Sequence, residues 1–195
     1  MKNRLTTEIH SWGLHILRWL PGGIGSRLRY YYYSRILASC GERVSFPIAV
    51  FMRECRNISI GTDVGLGLFS QIYAAGSGAE QIRIGNHVSL NSNVMLNADF
   101  GGSITIGNGC MIGPNVVFRT SDHEFSRRDI PIRDQGHIAG IITVKNNVWI
   151  GANVSVIGTV TIGEGAVIGA GSVVSRDIED YAVAAGVPAR KISDR

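Results

Sequence analysis

Five histidines are the residues of this sequence best suited to proton transfer: His10, His15, His87, His123 and His137. A histidine side chain is largely neutral near pH 7, so it can accept a proton from a hydroxyl group as that group attacks a carbonyl carbon. The first two lie in an N-terminal segment that lacks the six-residue repeat of the rest of the chain, and the third lies within that repeat. His123 and His137 lie in the stretch that interrupts this repeat, TSDHEFSRRDIPIRDQGHIAG. These two are therefore the first candidates for catalysis.

A six-residue repeat predicts the elements that position these histidines. All but one of the repeat positions are large and apolar, glycine follows eight of them, and a second apolar residue such as Val148, Val154 or Val160 often lies four positions later. The repeat slips at ADFGGS and stops over residues 119–143. The repeat positions are Ile60, Leu66, Ile72, Gly78, Ile84, Leu90, Leu96, Ile106, Ile112, Phe118, Val144, Ile150, Val156, Ile162, Ile168 and Val174.

A period of six fits neither an amphipathic helix of period 3.6 nor a single strand of period 2. It predicts an all-β solenoid of short strands, in which aliphatic side chains point inward and three hexads close one triangular coil. We expect the glycines to provide the unusual backbone angles of the corners. Residues 60–178 then supply about five to six coils, and VSFPIAVF at 44–51 begins another. The alternatives are a β-sandwich and a helical repeat of larger period. Sandwich strands, however, vary in spacing and do not return to one period after two interruptions.

Four stretches resemble the hexapeptide-repeat acyltransferases, in the branch of sugar and polysaccharide O-acetyltransferases. They are IGNHVSLNSNVMLN, ITIGNGCMIGPNVVF, VKNNVWIGANVSVIGTVTIGEGAVIGAGSVVSRDI and VAAGVPARKI. The resemblance covers residues 57–192 and implies a left-handed parallel β-helix, a homotrimer, and acetyl-CoA in the groove between neighbouring subunits. The expected organisation is an N-terminal helical and basic segment over 1–43, the β-helix over 44–180 with an extruded loop at 119–143, and a tail on the coenzyme A side over 181–195.

The resemblance also implies roles on the acceptor side. The stretch NVVFRTSDHEF resembles the family segment that bears the catalytic base, so His123 is expected to take the proton from the acceptor hydroxyl. His137 is expected to shape the loop or to contact substrate, and Asn91 and Asp99 match acceptor contacts. Asn91 could instead be a corner asparagine in the left-handed backbone conformation. The group that orients the His123 ring is left open between the acidic residues on either side of it.

On the cofactor side, coenzyme A bears a pyrophosphate and a ribose phosphate, which predicts contacts with basic side chains. The resemblance adds two alanines whose backbone contacts pantetheine, a serine beside one of the arginines, and a tryptophan that packs beside the pantetheine arm. A lone arginine is more often a solvated surface charge, so the clustering at family positions carries this assignment. The predicted cofactor residues are Trp149, Ala152, Ala170, Ser175, Arg176, Arg190 and Lys191.

Residues 8–38 have helical spacing instead of the six-residue period. Apolar residues recur at that spacing on both sides of the break PGGIG, and four arginines make the segment basic. Two interpretations remain open: the helices cap the exposed first coil, or they form a basic amphipathic element that contacts an anionic membrane. The segment resembles the exopolysaccharide, capsule and O-antigen acetyltransferases more than the galactoside enzymes, which implies a glycan acceptor.

Composition and charge narrow the possible partners and cellular location of the protein. The formal charge of +4 and the pI near 9.2 favour anionic partners. The sequence indicates neither a secretory signal nor a transmembrane helix, and its three cysteines form no CxxC pair. We therefore expect free thiols and a cytoplasmic protein, with peripheral contact at the inner membrane as an option. Nucleic-acid binding is not expected, because the basic residues are scattered.

Together these features predict an acetyl-CoA-dependent O-acetyltransferase that acts on a sugar hydroxyl in surface-polysaccharide biosynthesis. Transfer is expected to be direct, because no cysteine or serine lies in a nucleophile motif. No metal is expected. N-acetylation of a nucleotide-linked amino sugar is the second enzymatic interpretation. A γ-type carbonic anhydrase would hold zinc with three histidines; His87 and His123 are two coils apart, but His137 lies too far along the chain to be the third. A non-catalytic binding solenoid is the remaining class.

Overall fold

The protein is described by a computed structural model over residues 2–75 and 81–195, with side chains from Glu8 onward. Two helices, α1 (Lys2–Trp19) and α2 (Gly22–Ile36), precede a prism of short, mostly parallel strands. Each regular coil of the prism contributes to three faces in turn. Corner I joins the first face to the second, corner II joins the second to the third, and corner III joins the third face to the first face of the next coil.

Each face is a six-stranded sheet. The first face contains β1 (Ser39–Cys40), β3 (Ile58–Ile60), β5 (Ile82–Ile84), β8 (Ser103–Ile106), β13 (Ile141–Val144) and β16 (Val160–Ile162). The second face contains β6 (Ser89–Leu90), β9 (Met111–Ile112), β14 (Trp149–Ile150), β17 (Val167–Ile168), β19 (Ala182–Ala185) and β20 (Arg190–Asp194). The third face contains β2 (Phe51–Arg53), β4 (Gln71–Ala74), β7 (Met95–Ala98), β10 (Val117–Arg119), β15 (Ser155–Ile157) and β18 (Val173–Val174).

The predicted repeat positions line the interior of the prism. Each of them in the described part of the chain is at most 5% exposed, and Gly78 lies outside the described residues. The second apolar row, with Val148, Val154 and Val160, is buried as well. Equivalent residues stack in register from coil to coil, and full burial of such a side chain contributes about 1.5–3 kcal/mol. The predicted solenoid is confirmed, with about six coils.

The glycines that follow the repeat positions have a different role from the predicted one. None of the eight has a positive φ, so the expectation that they supply unusual backbone angles is wrong. A Cβ on Gly85 would lie 2.6 Å from the Asn108 side chain and 2.8 Å from the Gly107 backbone of the next coil. Glycine is required there because the coils approach too closely for a side chain. The left-handed residue of the corner comes two positions later, at His87 with φ 56°.

Corner II is regular in three successive coils because asparagines occupy its left-handed position, which Phe69 occupies in the coil before them. Asn93, Asn115 and Asn153 have φ values of 59°, 59° and 58°. The Asn93 amide donates to Asn115 Oδ1, and the Asn115 amide donates to Asn153 Oδ1, both at 3.0 Å. Asparagine reaches this conformation more readily than most residues. The corner therefore combines a suitable residue type with a side-chain ladder that links three coils.

Corner III is where the repeat fails. The slip at ADFGGS is a turn in which Phe100 has φ 57°. The extruded loop leaves the prism after β10 and returns at β13, and within it β11 (Asp122–His123) and β12 (His137–Ile138) form a small antiparallel pair. At the base of the loop, buried Thr120 donates its hydroxyl to the Asn97 carbonyl at 3.3 Å. Most of the loop beyond this point is exposed.

Helix α2 packs on the first coil of the prism. The Tyr33 ring stacks on Phe46 with centroids 5.0 Å apart. Arg29 is buried and donates to the carbonyl oxygens of Phe46 and Leu20, each at 2.7 Å. Leu20 follows the last residue of α1, so this cation lies at the negative end of the helix dipole. Helix α2 caps the first coil, as one of the two interpretations predicted. Within the described residues, neither helix is long and apolar enough to cross a bilayer.

The opposite end of the prism is closed by the C-terminal tail. Strand β19 pairs in parallel with β17, whereas β20 pairs antiparallel with β19. An antiparallel strand at the edge ends the stacking of parallel coils and covers hydrogen-bonding groups that would otherwise be open. The 3-10 turns Cys55–Asn57 and Ile132–Asp134 complete the described elements.

Candidate active site

The two candidate histidines face each other at corner III. His123 in β11 and His137 in β12 are paired residues of the small antiparallel sheet. Their ring centroids are 4.3 Å apart, and the His137 ring stacks on Phe100 with a centroid distance of 3.6 Å and an interplanar angle of 14°. We call these three rings the aromatic row. The row joins the extruded loop to the turn of the preceding coil, so the position of the His123 ring depends on both segments.

Phe100 enters the aromatic row from a strained backbone. A bulky residue with positive φ is rare and costs on the order of 1–3 kcal/mol. The turn that holds it contains Gly101, with φ 86°, and a bond from the Asp99 N–H to Asn97 Oδ1 at 3.1 Å. Such strain persists where the surrounding structure imposes it, and it often marks functional sites. At Phe100 the left-handed residue places its ring on His137.

A polar cavity of about 360 Å³ lies beside the aromatic row. Its polar walls include Arg53 and Asp99, which form a salt bridge, and its apolar walls include Phe100. The complete lining is Arg53, Glu54, Ala74, Ala75, Asp99 and Phe100. Pockets for small ligands begin near this size, and carboxylates and a guanidinium beside a ring suit a molecule rich in hydroxyl groups. We call this cavity the acceptor pocket, after the role that we propose for it under Proposed function.

Of the six residues that line the acceptor pocket, only Asp99 was predicted from the sequence. The other five are Arg53, Glu54, Ala74, Ala75 and Phe100. Glu54 has φ 53°, so two of the pocket's residues are non-glycine residues in the left-handed region. The usable signal was the slip of the repeat at ADFGGS, because a break in register requires an irregular turn. For Arg53 the six-residue period gives no signal, since it follows a buried repeat-like position and its salt bridge reaches Asp99, two coils away.

The acidic neighbours of His123 do not hold its ring. The Glu124 carboxylate accepts hydrogen bonds from the backbone N–H groups of Ser126 at 2.9 Å and Phe125 at 3.0 Å, and these bonds lower the pKa of Glu124. Among the described residues, Asp122 makes no hydrogen bond to the imidazole. His137, expected to shape the loop or to contact substrate, is the residue whose ring contacts His123.

Asn91 and Asp99 are not brought together within one chain. Asp99 lies at corner III with His123, whereas Asn91 follows β6 at corner II. The Asn91 Oδ1 atom accepts a hydrogen bond from the Ser92 N–H at 2.7 Å. The left-handed residue of this corner is Asn93, so the interpretation of Asn91 as a left-handed corner asparagine is wrong.

The predicted cofactor residues lie along two corners. Ala152 and Ala170 follow β14 and β17 at corner II, in successive coils, and Trp149 lies on β14 with 52% of its surface exposed. Ser175 and Arg176 follow β18 and lie at corner III, two coils beyond the base of the extruded loop. Within one chain these residues therefore form two separate sets.

The basic candidates near the C-terminus differ in how their charges are used. Lys191 Nζ lies 2.9 Å from a Glu179 carboxylate oxygen and 2.7 Å from an Asp194 carboxylate oxygen, and these partners raise the pKa of Lys191. In the described part of the chain, Arg176 and Arg190 form no ion pair with a carboxylate. Arg190 and Arg176 are therefore the more available contacts for a phosphate, and Lys191 is already paired.

His87 lies at corner I, away from His123 at corner III. Its Nδ1 atom is 3.4 Å from an Asp63 carboxylate oxygen, and Arg43 binds the same carboxylate. The Arg43 guanidinium is the main cause of the lowered pKa of Asp63. Among the side chains that the structure describes, no three of the metal-binding types form a group able to hold a metal ion. The two-coil spacing of these histidines does not place them in one site.

Comparisons with known proteins agree with this architecture. Residues 142–176 match the family model of the bacterial transferase hexapeptide, described as six repeats. Galactoside O-acetyltransferase of Escherichia coli (strain K12) is 36% identical over 151 residues, which cover 77% of this chain and 72% of that protein. The dTDP-4-amino-4,6-dideoxy-D-glucose acyltransferase of Escherichia coli is 31% identical over 162 residues, covering 80% of this chain and 82% of the relative.

A solved structure extends the likeness to nearly the whole chain. The hexapeptide-repeat-containing acetyltransferase VCA0836 of Vibrio cholerae O1 biovar eltor, complexed with acetyl coenzyme A, superposes with a TM-score of 0.63. It covers 98% of this chain and 87% of that chain at 24% sequence identity, which establishes a shared fold. With the repeat, the coils and the curated relatives in agreement, the chain belongs to the hexapeptide-repeat acetyltransferase family and is an acetyltransferase.

Proposed function

We propose that this acetyltransferase moves the acetyl group of acetyl-CoA to a hydroxyl group of a sugar, with His123 as the general base. The observation that carries the proposal is the aromatic row, which holds an exposed histidine ring beside a polar cavity of about 360 Å³. The relation to galactoside O-acetyltransferase supports a sugar hydroxyl as the acceptor. The acetyl-CoA in the solved Vibrio structure of the same fold supports the donor.

The reaction proceeds by direct transfer. His123 removes the proton from the acceptor hydroxyl while its oxygen bonds to the thioester carbonyl carbon. The tetrahedral intermediate collapses as the C–S bond breaks, and the imidazolium returns the proton to the departing coenzyme A thiolate. The three cysteines are poorly suited to carry the acetyl group, because burial raises the pKa of each thiol, that of Cys55 to about 11.

Phe100 and His137 act as positioning residues for this base. A general base must lie within hydrogen-bond reach of the proton that it removes, so a freely rotating ring is a poor base. His137 packs between Phe100 and His123 and limits where the catalytic ring can lie. Asp99 and Arg53 would bind the hydroxyl groups of the acceptor in the adjoining pocket, with Asp99 held by its salt bridge.

We further propose that the complete site requires two subunits of a homotrimer. Ala152, Ala170 and Asn91 lie at corner II, and Trp149 lies on the strand that leads into it. His123 lies at corner III. A groove between neighbouring prisms would bring corner II of one subunit to corner III of the next. Light scattering tests this arrangement, and we expect a mass three times that of the 21.0 kDa chain. A monomer that retains full acetyl transfer would contradict it.

In this arrangement the cofactor lies along corner II. The backbone at Ala152 and Ala170 would contact pantetheine, with Trp149 beside it and Ser175 next to one arginine. The phosphates would be bound by Arg176 and Arg190, whose charges are not paired within the described chain. Lys191 would contribute less, because two carboxylates already hold its amine. No metal takes part in this mechanism.

For the acceptor, we propose a glycan precursor of surface polysaccharide, modified on the cytoplasmic side of the inner membrane. The support is the likeness of the N-terminal segment to exopolysaccharide, capsule and O-antigen acetyltransferases. The second candidate function is N-acetylation of a nucleotide-linked amino sugar. The observation that favours it is the relation to the dTDP-amino-sugar acyltransferase, which covers 80% of this chain.

One product experiment separates these candidates. The protein is incubated with acetyl-CoA and a panel of glycans, glycosides and nucleotide-linked amino sugars, and the products are weighed by mass spectrometry. The proposal predicts a sugar product that gains one acetyl group and loses it on treatment with hydroxylamine, which cleaves esters and spares amides. A hydroxylamine-resistant product would establish the second candidate instead. Absence of transfer to every sugar, with intact binding of acetyl-CoA, would contradict both.

A further inference from the structure

The outer face of α1 is apolar and open to solvent. Ile9, Trp12, Ile16 and Trp19 recur at helical spacing on one face, and at least half of the surface of each is exposed. Open cavities of about 600 Å³ and 430 Å³ lie along this face. Singly exposed apolar residues are ordinary, but a contiguous row of four with two tryptophans indicates a binding surface.

Helix α2 also exposes apolar side chains on the side that faces away from the prism. Gly25, Arg29 and Tyr33 are buried along the face that packs on the prism. Ile24 and Leu28 lie on the opposite side of the helix and are exposed, as is Tyr31, with its ring against the Arg35 guanidinium. The two helices thus present apolar side chains outward. We call these exposed side chains of α1 and α2 the helical face.

The net positive charge of the protein lies in the same segment. Residues 1–43 contain seven basic and two acidic residues, a net charge of +5. The remaining residues, 44–195, contain 12 basic and 13 acidic residues, a net charge of −1. The net positive charge therefore lies in residues 1–43 and not in the later coils. Two of its cations already have other contacts, since Arg29 is buried on carbonyl oxygens and Arg43 is paired with Asp63. The partner of the helical face should be apolar and anionic at once.

A second copy of the chain does not fit these requirements well. A symmetric contact through the helical face would bring two segments of charge +5 together, and like charges at a contact weaken it. The surface of an anionic bilayer offers both parts of the required chemistry, because apolar side chains enter the boundary of the acyl chains while basic side chains meet the headgroups. Tryptophan is enriched at this depth.

We infer that the helical face docks the enzyme on an anionic membrane surface, with Trp12, Ile16 and their neighbours inserted at the headgroup level. Neither helix crosses the bilayer in this arrangement. The inference rests on the proposed location of the reaction but not on acetyl transfer itself. It deepens the proposed function by selecting an acceptor that is linked to lipid.

The acceptor pocket lies close to the docked helices. Arg18 of α1 lies over the Phe51 ring, with 4.7 Å from its guanidinium carbon to the ring centroid. Phe51 and Arg53 belong to the same strand, β2, and Arg53 lines the pocket. Docking of the helices would hold this pocket near the bilayer surface, where the saccharide of a lipid-linked acceptor extends into water.

Vesicle sedimentation tests the inference with the full chain. The protein is mixed with phosphatidylglycerol vesicles or with phosphatidylcholine vesicles, and the bound fraction is measured with increasing salt. We expect binding to the anionic vesicles that weakens with salt, and at least about tenfold weaker binding to the neutral ones. The emission of the α1 tryptophans should shift to shorter wavelength on binding, and a variant with Trp149→Phe should keep this shift.

Two double variants separate docking from a general loss of apolar surface. Trp12→Ser with Ile16→Ser should weaken vesicle binding at least about tenfold. Val187→Ser with Ile192→Ser removes two equally exposed apolar residues at the other end of the chain and should leave binding unchanged. Exposed positions tolerate such changes, and an unchanged melting temperature would verify this.

Three results would overturn the inference. They are absence of binding to the anionic vesicles, equal binding by the two double variants, and a change of oligomeric mass in the α1 variant, which would make a second copy the partner. Acetyl transfer to a soluble sugar without vesicles should be the same in the α1 variant and the native chain. Vesicle binding without any acetyl transfer would leave the docking surface standing and refute the proposed reaction.

Discussion

Corners II and III of the same prism are built by different means. At corner II, Asn93, Asn115 and Asn153 occupy left-handed positions and bond one another from coil to coil. At corner III, the left-handed positions include Glu54 and Phe100, and the chain leaves the prism in an extruded loop. At corner II the asparagine side chains bond one another, so the contacts that we propose for the cofactor there come from the backbone at Ala152 and Ala170. The irregular corner keeps carboxylates, a guanidinium and imidazoles open to solvent, and this is where we place the acceptor chemistry.

The regular coils should carry most of the stability. Phe118 is a fully buried repeat position on β10, just before the extruded loop. Its replacement by alanine should lower the free energy of unfolding by about 3–5 kcal/mol, because it leaves a cavity in a close-packed interior. Chemical denaturation followed by circular dichroism measures this change. Phe125→Ala, in the exposed part of the loop, is the matched control and should change stability by less than about 0.5 kcal/mol.

The acceptor pocket can be weakened without disturbing the coils. Asp99→Asn keeps the shape of the side chain but removes the charge that pairs with Arg53. We expect kcat/KM for the sugar to fall about 10- to 100-fold, because a buried hydrogen-bonding contact to the acceptor is lost. Steady-state kinetics at varied sugar concentration provide the value.

A second aspartate offers a matched comparison for that experiment. Asp63→Asn removes a carboxylate that is also paired with an arginine, Arg43, but at corner I. It should leave kcat/KM unchanged. Equal losses in the two aspartate variants would mean that the effect arises from the fold and not from the pocket.

Replacing Phe100 in the strained turn by glycine should lower activity without lowering stability. Phe100→Gly removes the ring that stacks on His137 and relieves the left-handed backbone. We expect stability to stay level or to rise by about 1 kcal/mol, while kcat falls about tenfold through the loss of ring positioning. Phe100→Ala removes the same ring but keeps most of the strain, so it should match the glycine variant in kcat and be less stable. A full kcat in either variant would contradict the positioning role.

The asparagine ladder should give the smallest effect. Asn115→Ala removes two side-chain hydrogen bonds and leaves an alanine in the left-handed conformation, which costs about 1–2 kcal/mol. Asn115→Gly loses the same bonds but fits the left-handed backbone. The difference in stability between the two variants therefore gives the free-energy cost of that backbone conformation for alanine. Thermal unfolding of both variants measures it, and acetyl transfer by either should remain native. Identical melting temperatures would show that residue type at this corner is unimportant.

The sequence predicted the coils well because their period is a direct consequence of stacking. The side chains that point into the prism are mostly apolar, so the spacing of apolar residues shows which residues line the interior. The period shows where the glycines occur but not what they do, so their role could not be predicted from it. Glycine is needed at positions such as Gly85 because the next coil approaches too closely for a side chain. The left-handed backbone comes from other positions of the corners, occupied by asparagines such as Asn93, by other glycines such as Gly109, and by His87.

The candidate site was predictable only in part. His123 and His137 stood out because they interrupt the repeat, and Asp99 followed from the family resemblance. Their geometry was not readable, because β11 and β12 pair across a loop that has no period. Arg53 reaches Asp99 from two coils away, and Phe100 reaches His137 through a strained turn. Contacts of this kind depend on where irregular segments meet, and no local pattern encodes them.

We propose that the acetyl transfer of this protein depends on His123, the histidine of the irregular corner. The most direct measurement is the rate of acetyl transfer from acetyl-CoA to a sugar by two variants, His123→Ala at corner III and His87→Ala at corner I. We expect the His123 variant to lose about 100- to 10,000-fold in kcat with an unchanged melting temperature, and the His87 variant to keep its native rate. A His123 variant with a native rate, or an equal loss in both variants, would contradict the account.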